Sequence, residues 1–542
     1  MSLKLAFKTS WAGGFASVLI LLGLVYEVFL RFQAVTSYPF SMGWSEASRY
    51  YYGSLYLAKS IYGLNVPLST MHPTRYLLQS LPFLFSGLGL TANRFWQFFL
   101  WMSFTSISAF TLVWVSFKGR SNIDGSQNWV KFLFTSWVFL FLLRMGVYYH
   151  LEVMVFIPLL FISARHPQRS ILAVIFASIW AGISRVNWFP VPAMIAIAIY
   201  FLEEPFSQKS SSSKSWKYYT LPVIWTIVGL IAAVSAQTAY IPLSGNTNNL
   251  LAFASSLTSP KLWDRLLPND TYPLGIIPAI LIVCGPLLIF LVSITLKQFK
   301  RLATLRWIGL WGMLIMLFIG GLIVSVKIGG GGDLHNMDSF AVLLVLITFY
   351  FIGGKVQAEN GEKMESTLSW PLVATGLLIP LIFLIPQLTP TPKYHQENNQ
   401  KAFITLKTLA EQASQKGPVL FINERHLLTF RKIDVPLVSD YEAVTLMEMA
   451  MSDNEPYLQN FYSDLAKHRF AAIVVGKQNV GIKDEGAFAD ENNIWNLRVS
   501  PYILCYYEPR LQLTSSDPLT YIEADQSRIE FYIPRTSPGD CP

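Results

Sequence analysis

The chain has 542 residues, 52% of them hydrophobic, 15% aromatic and 14% charged, with a formal net charge of +8. A soluble domain carries about 25% charged residues, so one large water-soluble core is excluded. The excess Lys and Arg sit in short clusters between apolar runs, which is the pattern of membrane topology and not of a nucleic-acid surface.

The first apolar run, 12–31, follows Lys4 and Lys8. It is longer than a signal-peptide core and no small-residue cleavage site follows, so it reads as a retained span. Further runs occupy 95–117, 131–149, 151–164, 170–184, 187–202, 218–240, 274–296, 306–326, 339–354 and 371–388. Runs of about 20 apolar residues cross a bilayer, and shorter ones extend into their flanks. The pattern predicts a polytopic α-helical membrane protein with about eleven transmembrane helices.

The apolar segment 76–90 sets the parity of every later loop. If it does not span, one face collects Lys4, Lys8, Lys118, Arg120, Arg165, Arg169, Lys209, Lys214, Lys217, Lys297, Lys300, Arg301, Lys355 and Lys363. The other face is sparser, with Arg185, Lys261, Arg265 and Lys327 plus a few in the first loop. Positive residues mark the cytoplasmic side, so 76–90 is read as an interfacial helix in a long external loop, 32–94. The N-terminus is then cytoplasmic, in a plasma (inner) membrane, and the tail is extracytoplasmic. The Ser-rich stretch 210–215 becomes a cytoplasmic linker.

From residue 391 the composition changes, after Pro386 and Pro390. Val419–Ile422 and Ala471–Val475 read as buried strands, and 440–468 has helical periodicity between them. Tyr502–Tyr507 and Ile529–Ile533 read as further strands, so 391–542 is expected to be a small α/β domain. Cys505 and Cys541 are available to pair if the tail faces an oxidising compartment. Cys284 lies in an apolar run, and no Cys/His spacing suits zinc.

Chemistry-bearing residues gather on the external face. The first loop carries Gly43-Trp44-Ser45-Glu46-Ala47-Ser48-Arg49, then Tyr50, Tyr51, Tyr52, Tyr56 and Tyr62, then His72-Pro73-Thr74-Arg75-Tyr76. Such aromatic density suits a helix in the headgroup layer, where Glu46 is either a general base, a cation ligand or a solvated acid. Arg144 and Glu152 flank Tyr148-Tyr149-His150, either as an ion pair or as functional charges. Arg185 lies between two short spans, where it either binds a lipid phosphate or snorkels. Lys327 opens a loop of four glycines, Gly329–Gly332, followed by Asp333, His335 and Asp338. Glycine amides approach an anion closely, but no Gly-Lys-Ser/Thr closes a nucleotide loop. Loop 241–273 carries Trp263, Asp264, Arg265 and Asp270, and suggests a second interfacial helix. Asn269-Asp270-Thr271 has the form of a glycosylation sequon.

One span, an external loop with an early acid, a helix opening with His72-Pro73, an acid at Glu152 and an external tail together resemble the GT-C class of membrane glycosyltransferases. Within it, the layout resembles the protein O-mannosyltransferase and aminoarabinose-transferase branch. The resemblance covers about residues 1–390 and implies a GT-C-like domain there. It implies transfer of a sugar, with inversion, from a polyprenyl-phosphate donor to a glycan, lipid or protein acceptor on the non-cytoplasmic face. Glu46 would be the catalytic base. Arg49, His72, Arg75, Glu152, Arg185, Lys327, Asp333, His335 and Asp338 would bind substrate. A divalent cation is open as a cofactor. Glu46 lacks the acidic neighbour common in the family, being followed by Ala47 and Ser48. His72-Pro73 is followed by Thr74, where the family often has a second proline.

Two other classes compete. A lipid or sugar transporter usually shows repeated halves, and no repeat is present. A non-catalytic envelope assembly protein would scatter its polar external residues, whereas an enzyme would converge them on one site.

Overall fold

The computed structural model describes residues 11–118, 126–163, 166–206, 215–246, 259–364, 396–514 and 528–542, with 378 and 382. The expected apolar runs become helices wherever they are described. In order these are α1 (Trp11–Phe32), α5 (Leu90–Ser116), α6 (Ser126–Arg144), α7 (Tyr149–Phe161), α8 (Pro167–Gly182), α9 (Val191–Glu203), α10 (Ser215–Leu243), α11 (Ile276–Gln298), α12 (Thr304–Ser325) and α13 (Asp338–Ile352). The first external loop supplies α2 (Glu46–Ser54), α3 (Ala58–Tyr62) and α4 (Pro73–Ser80).

Among the described residues, seven helical stretches are long and apolar enough to cross a membrane. The expected count of about eleven is not reached. Helix α7 has 13 residues and α8 has 16. At about 1.5 Å per residue these rise roughly 20–24 Å, short of the ~30 Å hydrocarbon layer. The run at 371–388 lies outside the described residues, apart from 378 and 382. Helix α4 has eight residues and ends at a 3-10 turn, Leu81–Leu84, so 76–90 holds no helix long enough to span.

The outer faces of these helices are apolar. Phe15, Leu22, Val25 and Phe29 of α1, and Ile308, Ile315, Met316 and Ile319 of α12, are all exposed. Such a band suits lipid, while polar groups turn inward. Glu27 is fully buried and meets Arg31 at 3.8 Å and Arg144 at 3.5 Å. Of the two readings of Arg144 and Glu152, the ion pair does not form, because Arg144 closes α6 against α1 while Glu152 begins α7 facing Ser108 of α5. Helix α13 is buried from Asp338 to Phe351 and forms the centre of the bundle. At the opposite end, buried Arg306 donates to the carbonyls of Phe201, Leu202 and Gln357, closing the C-terminus of α9.

The tail holds α14 (Gln396–Ser414), β1 (Val419–Phe421), α15 (His426–Thr429), α16 (Ala443–Met451), α17 (Glu455–Ala466), β2 (Ala472–Gly476), α18 (Ala489–Arg498), α19 (Ser500–Tyr506), β3 (Tyr507–Thr514) and β4 (Arg528–Pro534). The sheet order is β1-β2-β4-β3, with β1 parallel to β2 and the other pairs antiparallel. Alternate strand residues point to opposite faces. Val419, Phe421 and Val474 pack under α14, together with Tyr38 and Phe40 of the first external loop. Leu420, Ile422, Ile473 and Val475 pack against the other helices.

Two expectations change. The segment 502–507 is helical up to Tyr506, because Pro501 at the first turn starts α19, and the strand begins only at Tyr507. The helix over 440–468 breaks at Asp453, which has φ 58, and Asn454 caps α17 by accepting from the Tyr457 N–H. Cys505 and Cys541 form a disulfide.

Candidate functional site

Four chain segments converge at one end of the bundle: the start of α4, the start of α7, the turn after α8, and the glycine-rich loop before α13. His72 precedes Pro73 with a left-handed backbone, φ 48, a strained conformation held by its surroundings. Its ring lies 6.1 Å from the His150 ring. The Arg75 guanidinium sits over the Tyr148 ring at 4.5 Å, and Tyr148 lies 6.4 Å from the His335 ring. Arg185 donates to Asn336 Oδ1 at 2.5 Å and reaches Asp338 Oδ2 at 3.4 Å. Trp188 Nε1 donates to the other Asp338 oxygen at 3.0 Å. Asp338 also sits at the N-terminus of α13, where a negative charge is favoured. Thr74 and Ser184 share a hydrogen bond of 2.6 Å that ties α4 to the Arg185 turn.

His335 and Asp333 form a local dyad. The Asp333 carboxylate accepts from the His335 backbone N–H at 2.8 Å and contacts its ring Nδ1. Desolvation raises the Asp333 carboxyl, but His335 and Arg185 outweigh it and bring it to about 2. With Nδ1 engaged, Nε2 is the nitrogen left for chemistry. Burial pushes the His72 imidazole far below its ordinary range, and the Arg185 and Arg75 charges push it further, so it is neutral.

Several buried polar atoms here have no hydrogen-bond partner among the described residues. They include Arg75 Nε, His72 Nδ1, both His150 ring nitrogens and both Glu152 oxygens. Arg75 is 7% exposed, and among the described residues no carboxylate pairs with it. Its neighbours are Tyr148, Tyr149 and Tyr76. A buried guanidinium without a counter-charge is costly unless an anion completes it.

The sequence-predicted residues therefore divide. His72, Arg75, Arg185, Asp333, His335 and Asp338 belong to the cluster, and Glu152 lies just beneath it on α7. Arg49 of α2 stands at its edge, with its charge felt at Tyr76 and Glu46. Glu46 and Lys327 are engaged elsewhere. Arg94 of α5 grips both Glu46 oxygens, at 2.9 and 3.2 Å, while the Met42 N–H donates to Glu46 at 2.6 Å. Burial raises the Glu46 carboxyl, but Arg94 outweighs it and holds the group below the ordinary carboxylate range. Lys327 pairs with Glu448 of α16 at 3.0 Å. The glycine loop does hold an anion, but it is the tail's own Glu491, which accepts from the Gly329 N–H at 2.7 Å and from Arg265 at 2.7 Å.

Sequence reasoning passed over His150, Tyr148, Trp188 and Asn336 as site members. The available signal was the polar break Tyr148–Glu152 between two apolar runs. A divalent cation does not fit the residues present, because Arg94 occupies Glu46 and His335 occupies Asp333. Among the described residues, no group of three or more His, Cys, Asp and Glu is placed to hold a metal ion.

The fold and site define a multi-helix membrane protein with a cationic, histidine-lined cluster where its loops meet the bundle. No family model matches the sequence, no curated protein matches it, and no solved structure matches its fold.

Proposed function

We propose that the cluster binds the phosphate of a polyprenyl-phosphate-linked sugar and that the protein transfers this sugar to an acceptor hydroxyl on the non-cytoplasmic face. The observation that carries this reading is Arg75, buried on a tyrosine face with no carboxylate beside it among the described residues. A phosphate ester supplies the missing negative charge and can accept a guanidinium fork. Arg185, already half-balanced by Asp338, lies across the cluster to share the charge. The Cys505–Cys541 bond supports an oxidising, non-cytoplasmic location for the tail.

In the reaction, the acceptor oxygen forms a bond to the anomeric carbon while the bond from that carbon to the phosphate oxygen breaks. The electron pair leaves with the phosphate, where Arg75 and Arg185 stabilise the growing charge. The acceptor proton passes to His335 Nε2, with Asp333 holding the ring. Glu46 is not given the base role, since its oxygens serve Arg94. One direct displacement inverts the anomeric centre.

The test is transfer from radiolabelled polyprenyl-phosphate sugars by the detergent-solubilised full chain. Arg75→Gln is expected to weaken donor binding at least tenfold, and His335→Gln to lower kcat with little change in KM. Parent-like binding and transfer in Arg75→Gln would remove the proposal.

A further inference from the structure

A cavity of about 220 Å³ lies between the first external loop and the tail. Tyr51 and Tyr52 of α2 form one wall, and Tyr441 and Tyr457 of the tail form the facing one. Glu442 and Thr445 lie between them. The tyrosines pack as pairs, Tyr51 with Tyr52 at 5.5 Å and Tyr441 with Tyr457 at 5.7 Å. The cavity is continuous in sequence with the phosphate cluster. Met71 lines it, His72 follows, and the Tyr76 ring next to Arg75 packs on Tyr52 at 5.0 Å.

Two of the three carboxylates of this cavity are paired with cations, and the third, Glu442, is held by hydrogen bonds. Glu442 caps α16 by accepting from the Val444 and Thr445 N–H groups at 3.0 and 3.1 Å, and it also takes the Ser48 and Tyr52 hydroxyls. Glu448 is paired with Lys327 at 3.0 Å, and Asp440 with Arg469 at 3.0 Å. Glu442 has no salt bridge among the described residues, but its charge is already spread over four neutral donors, so a cationic ligand gains less there, and an anionic one would meet three carboxylates. What remains are aromatic faces, hydroxyls and spare carboxylate lone pairs. Flat apolar faces beside a few fixed polar groups suit a small ring with one C–H face and a rim of hydroxyls.

We infer that this cavity binds a neutral sugar ring. Its role as the acceptor pocket rests on the transferase reading above, but the binding itself does not. Tyr76, lying between Tyr52 and Arg75, marks the passage through which an acceptor hydroxyl would reach the donor phosphate.

The test is saturation-transfer NMR on the detergent-solubilised full chain with four probes: a neutral methyl hexopyranoside, an amino sugar, a uronic acid and inorganic phosphate. The neutral sugar is expected to bind. Val66→Trp, which fills the cavity from its rim, and Tyr457→Leu, which removes one wall, are each expected to weaken it at least tenfold. Arg75→Gln is expected to leave it unchanged. A thermal midpoint within a few degrees of the parent identifies the variants that have kept their fold. No binding by the neutral sugar, a preference for a charged one, or unchanged binding in folded Val66→Trp and Tyr457→Leu would overturn the inference. Labelled donor binding, read on the same samples, reports separately on the phosphate cluster. Sugar binding without donor binding would sink the transferase reading and leave the cavity's assignment standing.

Discussion

The Glu46–Arg94 pair offers a measurement that separates a structural acid from a catalytic one. Glu46 is 5% exposed and Arg94 3%, so both charges are held out of water. Arg94 also donates to the carbonyls of Thr36, Tyr38 and Phe40 at 3.0, 2.7 and 3.0 Å, which folds residues 36–46 around one guanidinium. In Glu46→Gln the amide oxygen can still accept from Met42, but its NH₂ faces Arg94 donor to donor. Removing one partner of a buried pair costs about 3–5 kcal/mol. At about 1.4 kcal/mol per tenfold, local opening becomes roughly 10²- to 10⁴-fold more frequent.

Hydrogen exchange in detergent is the assay. Amides in 36–46 should lose protection by about that factor in Glu46→Gln, and by more in Arg94→Met, where three carbonyls also lose a donor at about 1 kcal/mol each. The double variant should be little worse than Arg94→Met alone, because the two changes break one network. The pH dependence has a fixed sign. The Glu46 carboxyl lies below its unfolded range, so its contribution is present above about pH 4.5 and is lost as pH falls through the folded value. Protection in the parent should therefore drop on acidification, while Glu46→Gln should show no such step. If exchange in 36–46 is unchanged in Glu46→Gln while sugar transfer is abolished, the clamp argument is wrong and Glu46 acts in the chemistry.

Three other outcomes are expected. Gly146 has φ 73, and a Cβ there would stand 2.9 Å from the His335 Cβ. Gly146→Ala should displace His335 and cut transfer, with a stability loss of about 1–2 kcal/mol from the left-handed backbone, whereas parent-like kcat would detach His335 from catalysis. Burial, with the Glu46 charge adding to it, raises the Glu424 carboxyl to about 8. The folded state thus keeps a proton that the unfolded state releases near 4.5, and stability falls by up to about 1.4 kcal/mol per pH unit between those values. Glu424→Gln should flatten the melting-temperature decline from about pH 5 to 8, and a parent most stable at about pH 8 would contradict the sign. The Cys505–Cys541 bond closes a separation of 36 residues, so Cys541→Ser should destabilise the tail by about 4 kcal/mol, read by denaturant titration.

What the sequence made legible was whatever is written in local periodicity. The apolar runs became helices, and Val419–Phe421, Ala472–Gly476 and Arg528–Pro534 became strands close to the expected positions. The break at Asp453 and the start of α19 were also written locally, in Asn454-Glu455-Pro456 and Ser500-Pro501, but apolar spacing alone ran across them. The number of spans was less legible, because run length does not say how far a short helix such as α7 reaches.

Partnership was not legible at all where it crosses the chain. A lone acid such as Glu46 and a lone base such as Lys327 look the same whether they await a substrate or a distant residue. Arg94 lies 48 residues from Glu46, and Glu448 lies 121 from Lys327. The glycine loop makes the point most clearly. Its amides were expected to favour an anion, and the Gly329 N–H meets Glu491, 162 residues away in the chain. Conversely, Arg75 gains meaning only from an absence that no sequence displays, since the fold surrounds it with tyrosines and, among the described residues, brings no carboxylate to it. That is why the site shifts from the most conspicuous motifs to His72, Arg75, Arg185 and His335. There, charge and hydrogen-bonding capacity remain that the chain's own groups do not use.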